Sequence, residues 1–310
     1  MDADQNLKIK GYGNPLLVSE RLRAMASQMS QAVGTIQNLI VDGTYFDTPL
    51  VIPGRQQSTE PYDAPNGALC ANFNTVFFLR RDGQWVSAEE QTPLLPWVIP
   101  KIEASGLTSG RITLAGNTDE GLIYAGELFR YFLEQAGVAV HGHILRAAVD
   151  PRSDKLLLRC WSEEQLTDII SNLMEFSNNF IANQLMLTMG ARVYGPPANV
   201  DKGIRALRQY YSQVLGIDDG YIVEASGISR QNQVSVRIML RLLSQFKDFH
   251  YLMRSKEGRH WYKTGHLDGI RTQAGYLLGP DEKLFTYVVM INTPGKTTHR
   301  MLGLIESAVK

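Results

Sequence analysis

The chain has 310 residues, enough for roughly two domains, and its 44% hydrophobic content supplies a substantial core. Its 31 basic and 31 acidic side chains cancel, which gives no electrostatic reason to expect nucleic acid or an anionic membrane as partner. No apolar run approaches the ~20 residues of a membrane span, and Met-Asp-Ala-Asp at the start lacks the basic-then-apolar pattern of a secretory signal. That leaves either a cytoplasmic chain or a processed one.

In chain order, residues 6–10 alternate as a short strand. Ser19 is placed to cap a helix in which Leu22, Met25, Met29 and Val33 recur at helical spacing, closed by Gly34. From Ile36 to about Val149 the texture is mostly β, with Asp82-Gly83 as a hairpin signal. One helix interrupts it, with Leu122, Ala125, Leu128, Phe129, Phe132 and Leu133 on one face, ended by Gly137. Residues 51–67, rich in Pro, Gly and polar side chains, are loop.

After about residue 150 helices dominate. Leu166, Ile169, Ile170 and Leu173 form one apolar face, and Phe180, Ile181, Leu185 and Leu187 follow a break at Phe176-Ser177. Asp201 is placed to cap a third helix, carrying Ile204, Leu207, Tyr211 and Val214, and Val234–Phe246 is a fourth. Strands are expected at His260–Thr264, Gly269–Leu278 and Lys283–Asn292, with a turn at Gly279-Pro280-Asp281, and a last helix at Met301–Val309. Helices beside consecutive antiparallel strands make an α+β layer.

Two tripeptides carry chemistry. Ser177-Asn178-Asn179 sits at a helix-to-helix break, where a hydroxyl and a carboxamide two positions apart can point into a cleft and bind a peptide group. Ser and Asn are also ordinary helix N-caps. Lys263-Thr264-Gly265 lies on a strand, where alternation puts Lys263 and Gly265 on one face and Thr264 on the other. The lysine offers a positive charge to a carboxylate, and the glycine lets a ligand approach the backbone. A surface lysine on an edge strand is the plainer reading. In this order, one opening a helix and the other on a strand before a hairpin, the pair has the context that motif logic requires.

The segments Glu175-Phe-Ser-Asn-Asn-Phe-Ile-Ala182, Ala225-Ser-Gly-Ile-Ser-Arg-Gln-Asn232 and Lys263 through Gly269-Ile-Arg-Thr-Gln-Ala-Gly-Tyr276 resemble those of the class C low-molecular-mass penicillin-binding proteins. These are serine D-alanyl-D-alanine carboxypeptidases and endopeptidases. Tyr62-Asp-Ala-Pro65, Asn72-Phe-Asn74 and Tyr124-Ala-Gly126 with Gly137-Val138 are similar to that family's accessory domain. The resemblance runs from about Leu7 to the C-terminus. It implies an α+β, β-lactamase-like penicillin-binding domain of helices and antiparallel sheet at 151–310, with a mainly β accessory domain at 1–150. It implies a periplasmic location, no cofactor, and a peptidoglycan stem peptide or β-lactam as ligand. Ser177, Asn179, Lys263, Thr264, Gly265 and His266 are the substrate-binding candidates. His266 stands where the family usually has Ser or Thr, and Glu175 where a basic residue is common.

The family's Ser-x-x-Lys nucleophile motif does not precede Ser177, and the catalytic helix that bears it is expected to lie upstream of Met1. Ser244-Gln-Phe-Lys247 and Ser307-Ala-Val-Lys310 fit the letters but not the order. Ser177 has Phe180, not lysine, three residues on, and a serine without an adjacent base is a poor nucleophile. Two expectations follow: a degenerate fold that binds stem peptide or a protein partner, or an active peptidase whose Ser-x-x-Lys helix comes from outside this chain. Absence of that apolar helix predicts exposed core surface and self-association through it. His141 and His143 alternate on a predicted strand but lack the further ligands of a metal site. Cys70, in an apolar run, reads as a small buried hydrophobe. Whether it pairs with Cys160 stays open.

Overall fold

The computed structural model describes residues 1–114 and 118–309. The first half builds a layered unit. Strand β1 (Leu7–Lys10) runs parallel to β3 (Leu39–Asp42), which pairs parallel with β8 (Ile144–Arg146); β2 (Thr35–Ile36) pairs parallel with β7 (Ala139–Val140). Helices α1 (Ser19–Ser30) and α3 (Thr118–Gln135) pack together, and α3 also lies on β3, because their apolar residues recur every three to four positions. Leu22, Leu39, Leu128, Phe129 and Phe132 meet in this largest core. A second, antiparallel sheet has β4 (Thr75–Arg81) between β5 (Gln84–Ser87) and β6 (Ser109–Thr113), with Asp82-Gly83 turning the β4–β5 hairpin.

Several boundaries differ from expectation. A further helix, α2 (Ile99–Ser105), stands in the region read as mostly β with one interrupting helix. Val18, not Ser19, is the N-cap of α1, and the Ser19 hydroxyl accepts from Asn72 Nδ2 at 2.8 Å in the interior. His141 and His143 lie in the connection between β7 and β8, not on a strand.

The second half places α4 (Leu166–Phe176), α5 (Asn179–Tyr194), α6 (Val200–Gln213) and α7 (Val236–Phe246) beside a four-stranded antiparallel sheet in the order β12 (Leu284–Ile291), β11 (Ile270–Leu278), β10 (His260–Leu267), β9 (Arg254–Lys256). Asn199 rather than Asp201 caps α6, accepting from the Lys202 N–H. Helix α7 covers one face of the sheet through Leu243 and Tyr276, and α8 (His299–Val309) covers the other through Leu302 and Ile305. The fold is thus α+β with small, separate sheets.

Buried hydrogen bonds join the halves. Asn66 Nδ2 donates to Phe180 O and Gln184 Oε1, both at 2.9 Å, and Gln184 Nε2 donates to Gly67 O at 2.7 Å. Helix α5 is therefore fixed against the 61–70 segment, which a polar residue buried without partners would not permit. Both cysteines are free. Cys70 is buried and its thiol pushed up to about 12 by desolvation, whereas Cys160 is exposed.

Candidate functional site

The α4–α5 break has a local cause. Ser177 takes a left-handed backbone conformation (φ 51°, ψ 45°), which ends α4 and turns the chain. Asn178 then caps α5, its Oδ1 accepting from the Ile181 N–H at 3.1 Å. The turn leaves the Ser177 side chain exposed toward β10.

Across the cleft, Lys263 on β10 donates from Nζ to Ser177 Oγ at 2.5 Å and to Thr264 O at 2.8 Å. The serine described above as lacking an adjacent base therefore has an amine beside it, from a distant strand. Desolvation holds the Lys263 ammonium below its ordinary range of 10.5, and no carboxylate lies within ion-pair distance of it among the described residues. A half-buried cation without an acid partner favours an anionic ligand.

Gly265 has a register reason for its identity. It faces Thr272 across the β10–β11 ladder, and a Cβ at 265 would sit 2.4 Å from Thr272 Oγ1. Lys263, Thr264 and Gly265 all line a groove of about 730 Å³ bounded by α4, α7 and β10–β12. Its other walls are mainly Leu166, Ile170, Met174, Met239, Leu242, Phe246, Phe249 and Val288. Thr264 is paired with Gln273, whose side chain bonds Tyr287 on the α8 side of the sheet, whereas Lys263 is paired with Ala274 on the α7 side, so the strand keeps its alternation and Thr264 borders the groove from the strand between its neighbours.

Asn179 lies to one side. Its Nδ2 donates to Tyr62 O at 3.2 Å, and it lines a small polar notch with Arg55, Asn66, Asn183 and Ser226. Ser226 lines both spaces. His266 is exposed and borders neither of them. Glu175 is exposed, its Oε1 3.7 Å from Arg254 Nε.

Sequence reasoning missed Glu224. This carboxylate is only 1% exposed. It accepts from the N–H groups of Ser226, Gly227 and Ser229, from Ser226 Oγ, and from the amides of Asn183 and Asn232. It thereby shapes the Ala225–Asn232 loop and ties it to α5. An acid just before a Ser-Gly turn was the signal available. Gly54 permits the neighbouring loop to close on this one: at φ +86°, a Cβ there would lie 2.6 Å from Ser229 Cα.

Of the other Ser-x-x-Lys matches, Ser244 is exposed on α7 and outside the groove lining. Ser307 is exposed and donates to Gly303 O, and Lys310 lies outside the described residues.

Residues 107–254 match the model of the D-Ala-D-Ala carboxypeptidase 3 (S13) family. A D-alanyl-D-alanine carboxypeptidase of Actinomadura sp. strain R39 is 25% identical over 353 residues, covering 92% of this chain and 65% of that protein. D-alanyl-D-alanine carboxypeptidase DacB of Haemophilus influenzae is 27% identical over 168 residues, covering 53% of this chain and 33% of that protein. The chain thus spans less than two thirds of either relative's length. The solved structure of penicillin binding protein 4 (dacB) from Haemophilus influenzae superposes with a TM-score of 0.70 at 18% identity, over 94% of this chain and 77% of that one. The same protein complexed with a β-lactam gives 0.71 at 19%, over 98% and 82%.

Proposed function

We propose that this chain, for which sequence match and fold support membership of the S13 family of penicillin-binding D-Ala-D-Ala carboxypeptidases, binds the D-Ala-D-Ala end of peptidoglycan stem peptides in the groove beside Lys263. The observation that carries this reading is the desolvated Lys263 ammonium lining an otherwise mainly apolar groove, hydrogen-bonded to Ser177 and with no acid within ion-pair distance among the described residues. A terminal carboxylate supplies the missing charge. Thr264 and Gly265 border the ligand, and Asn179, held by the Tyr62 carbonyl, sets the neighbouring wall. His266 lies outside this lining. A cell-wall ligand places the work in the periplasm.

The chain as given is a binding module rather than a peptidase at full rate. Removing a nucleophile and its base costs orders of magnitude in acyl transfer, whereas ligand contacts survive. A second reading is favoured by the groove itself. Its apolar walls leave Leu166 60% and Phe249 48% exposed, surface that a helix from outside this chain, from a partner or from a second copy would cover. If that helix carries Ser-x-x-Lys, the composite is an active peptidase.

Calorimetry with diacetyl-L-Lys-D-Ala-D-Ala tests the binding reading. The expected result is saturable binding that Lys263→Met weakens at least about tenfold. Affinity unchanged in that variant counts against the site.

A further inference from the structure

The two edges of the four-stranded sheet are built differently. Edge strand β9 is three residues long, exposed along its length, and carries Arg254 and Lys256. Short length and charge are what keep an edge from pairing with another chain. Edge strand β12 has eight residues and no charge, proline or glycine. Its register with β11 is unbroken from Leu284 to Ile291, so no bulge twists it away. At the hairpin, Gly279 N donates to Lys283 O at 2.9 Å, and Leu278 N turns away to Arg259 O at 2.8 Å. Ladder alternation then turns residues 285, 287, 289 and 291 toward β11. It leaves the N–H and C=O groups of Leu284, Thr286, Val288 and Met290 facing outward. Among the described residues, nothing donates to or accepts from those outward groups.

We propose that β12 is a docking edge for a second copy of this chain, joined antiparallel about a two-fold axis perpendicular to the sheet. The inference does not rest on the stem-peptide reading. Its surface also differs from the exposed groove wall at Leu166 and Phe249, which lie on other elements. Self-complementarity selects the second copy. With the axis at Tyr287, Thr286 of each strand stands opposite Val288 of the other, and Leu284 opposite Met290, so every outward group meets an outward group. Antiparallel pairing also sets the turn carrying Asp281 and Glu282 toward the other copy's loop carrying Lys296 and Arg300, all four exposed. Opposite charges at both ends favour this direction over the parallel one, which sets acid beside acid. The axis keeps α8 of both copies on one face of the joined sheet, and its Met301 and Leu304 are exposed. Because β9 is blunted, the joined sheet ends in two guarded edges and growth stops at the dimer.

The test is sedimentation velocity of the full chain over a range of concentrations, beside amide hydrogen exchange read by mass spectrometry. The wild type should form a dimer, and exchange in peptides covering 284–291 should slow at least about tenfold from monomer to dimer. Thr286→Lys puts a charge on the edge. Thr286→Pro removes one outward N–H, a loss that an edge strand tolerates. Each should weaken the dimer at least about tenfold, whereas Thr286→Val, which keeps the N–H and the branched side chain, should retain it. Circular dichroism reports whether each variant is folded, and if proline unfolds the chain the lysine variant carries the test. Protection of 284–291 should survive Phe249→Glu, which disrupts only association through the groove. A wild type that stays monomeric would overturn the proposal. So would a dimer whose 284–291 amides exchange as fast as the monomer's, a dimer unmoved by Thr286→Lys, or growth past the dimer through this edge.

Discussion

At the residue scale, Lys263 combines a cost and a use. Its folded pKa is depressed, so the burial that favours the neutral amine disfavours the ammonium. The destabilisation is present while the group is charged in both states, at neutral pH, and fades as pH rises from the folded value through the unfolded one near 10.5. Lys263→Met should therefore raise the melting temperature at pH 7 while lowering ligand affinity, and thermal denaturation beside calorimetry reads both. Ligand binding in the wild type should weaken as pH climbs through the depressed value, because a carboxylate needs the ammonium. Glu224 has the opposite character: its charge is buried but fully engaged by donors. Glu224→Ala leaves those donors facing nothing, and chemical denaturation should show a loss of about 3–5 kcal/mol. A loss under ~0.5 kcal/mol would mean that the loop holds itself.

At the scale of elements, β10 and the α4–α5 turn position the site. Gly265→Ala should cost about 1–3 kcal/mol through the clash with Thr272 Oγ1. Removing that atom with Thr272→Ala should recover most of the loss, a coupling that a double-mutant cycle in urea measures. Both elements were legible in the sequence. The apolar faces on either side of Phe176-Ser177 and the run through Tyr276 placed the break and the strand within a few residues of where they stand. That the two meet at one site was expected from the family resemblance alone: Ser177 and Lys263 are 86 residues apart, and periodicity carries no information on such separations. The caps of α1 and α6 were not legible. Val18 and Asn199 took the positions assigned to Ser19 and Asp201, since tertiary hydrogen bonds drew Ser19 inward. Glu224 escaped notice because its role depends on six donors spread from Asn183 to Asn232, which only folding gathers.

At the scale of the molecule, the first half lays its 61–70 segment against α5 through Asn66, Gly67 and Tyr62, so the wall holding Asn179 belongs to both halves. On the other side the groove lies open, with Phe249 and Leu166 among its lining. Sedimentation velocity over a range of concentrations should show self-association, and Phe249→Glu should shift it toward monomer. A monomer at every concentration would remove the second copy as the groove's cover.

The most direct measurement of the binding claim is a paired titration by calorimetry. The two ligands are diacetyl-L-Lys-D-Ala-D-Ala and the same peptide with its C-terminal carboxylate amidated. The expected result is that the acid binds at least about tenfold tighter than the amide, and that Lys263→Met erases the difference. Equal affinity for acid and amide in the wild-type chain, or a preference that persists without the lysine, would contradict a groove built around that cation.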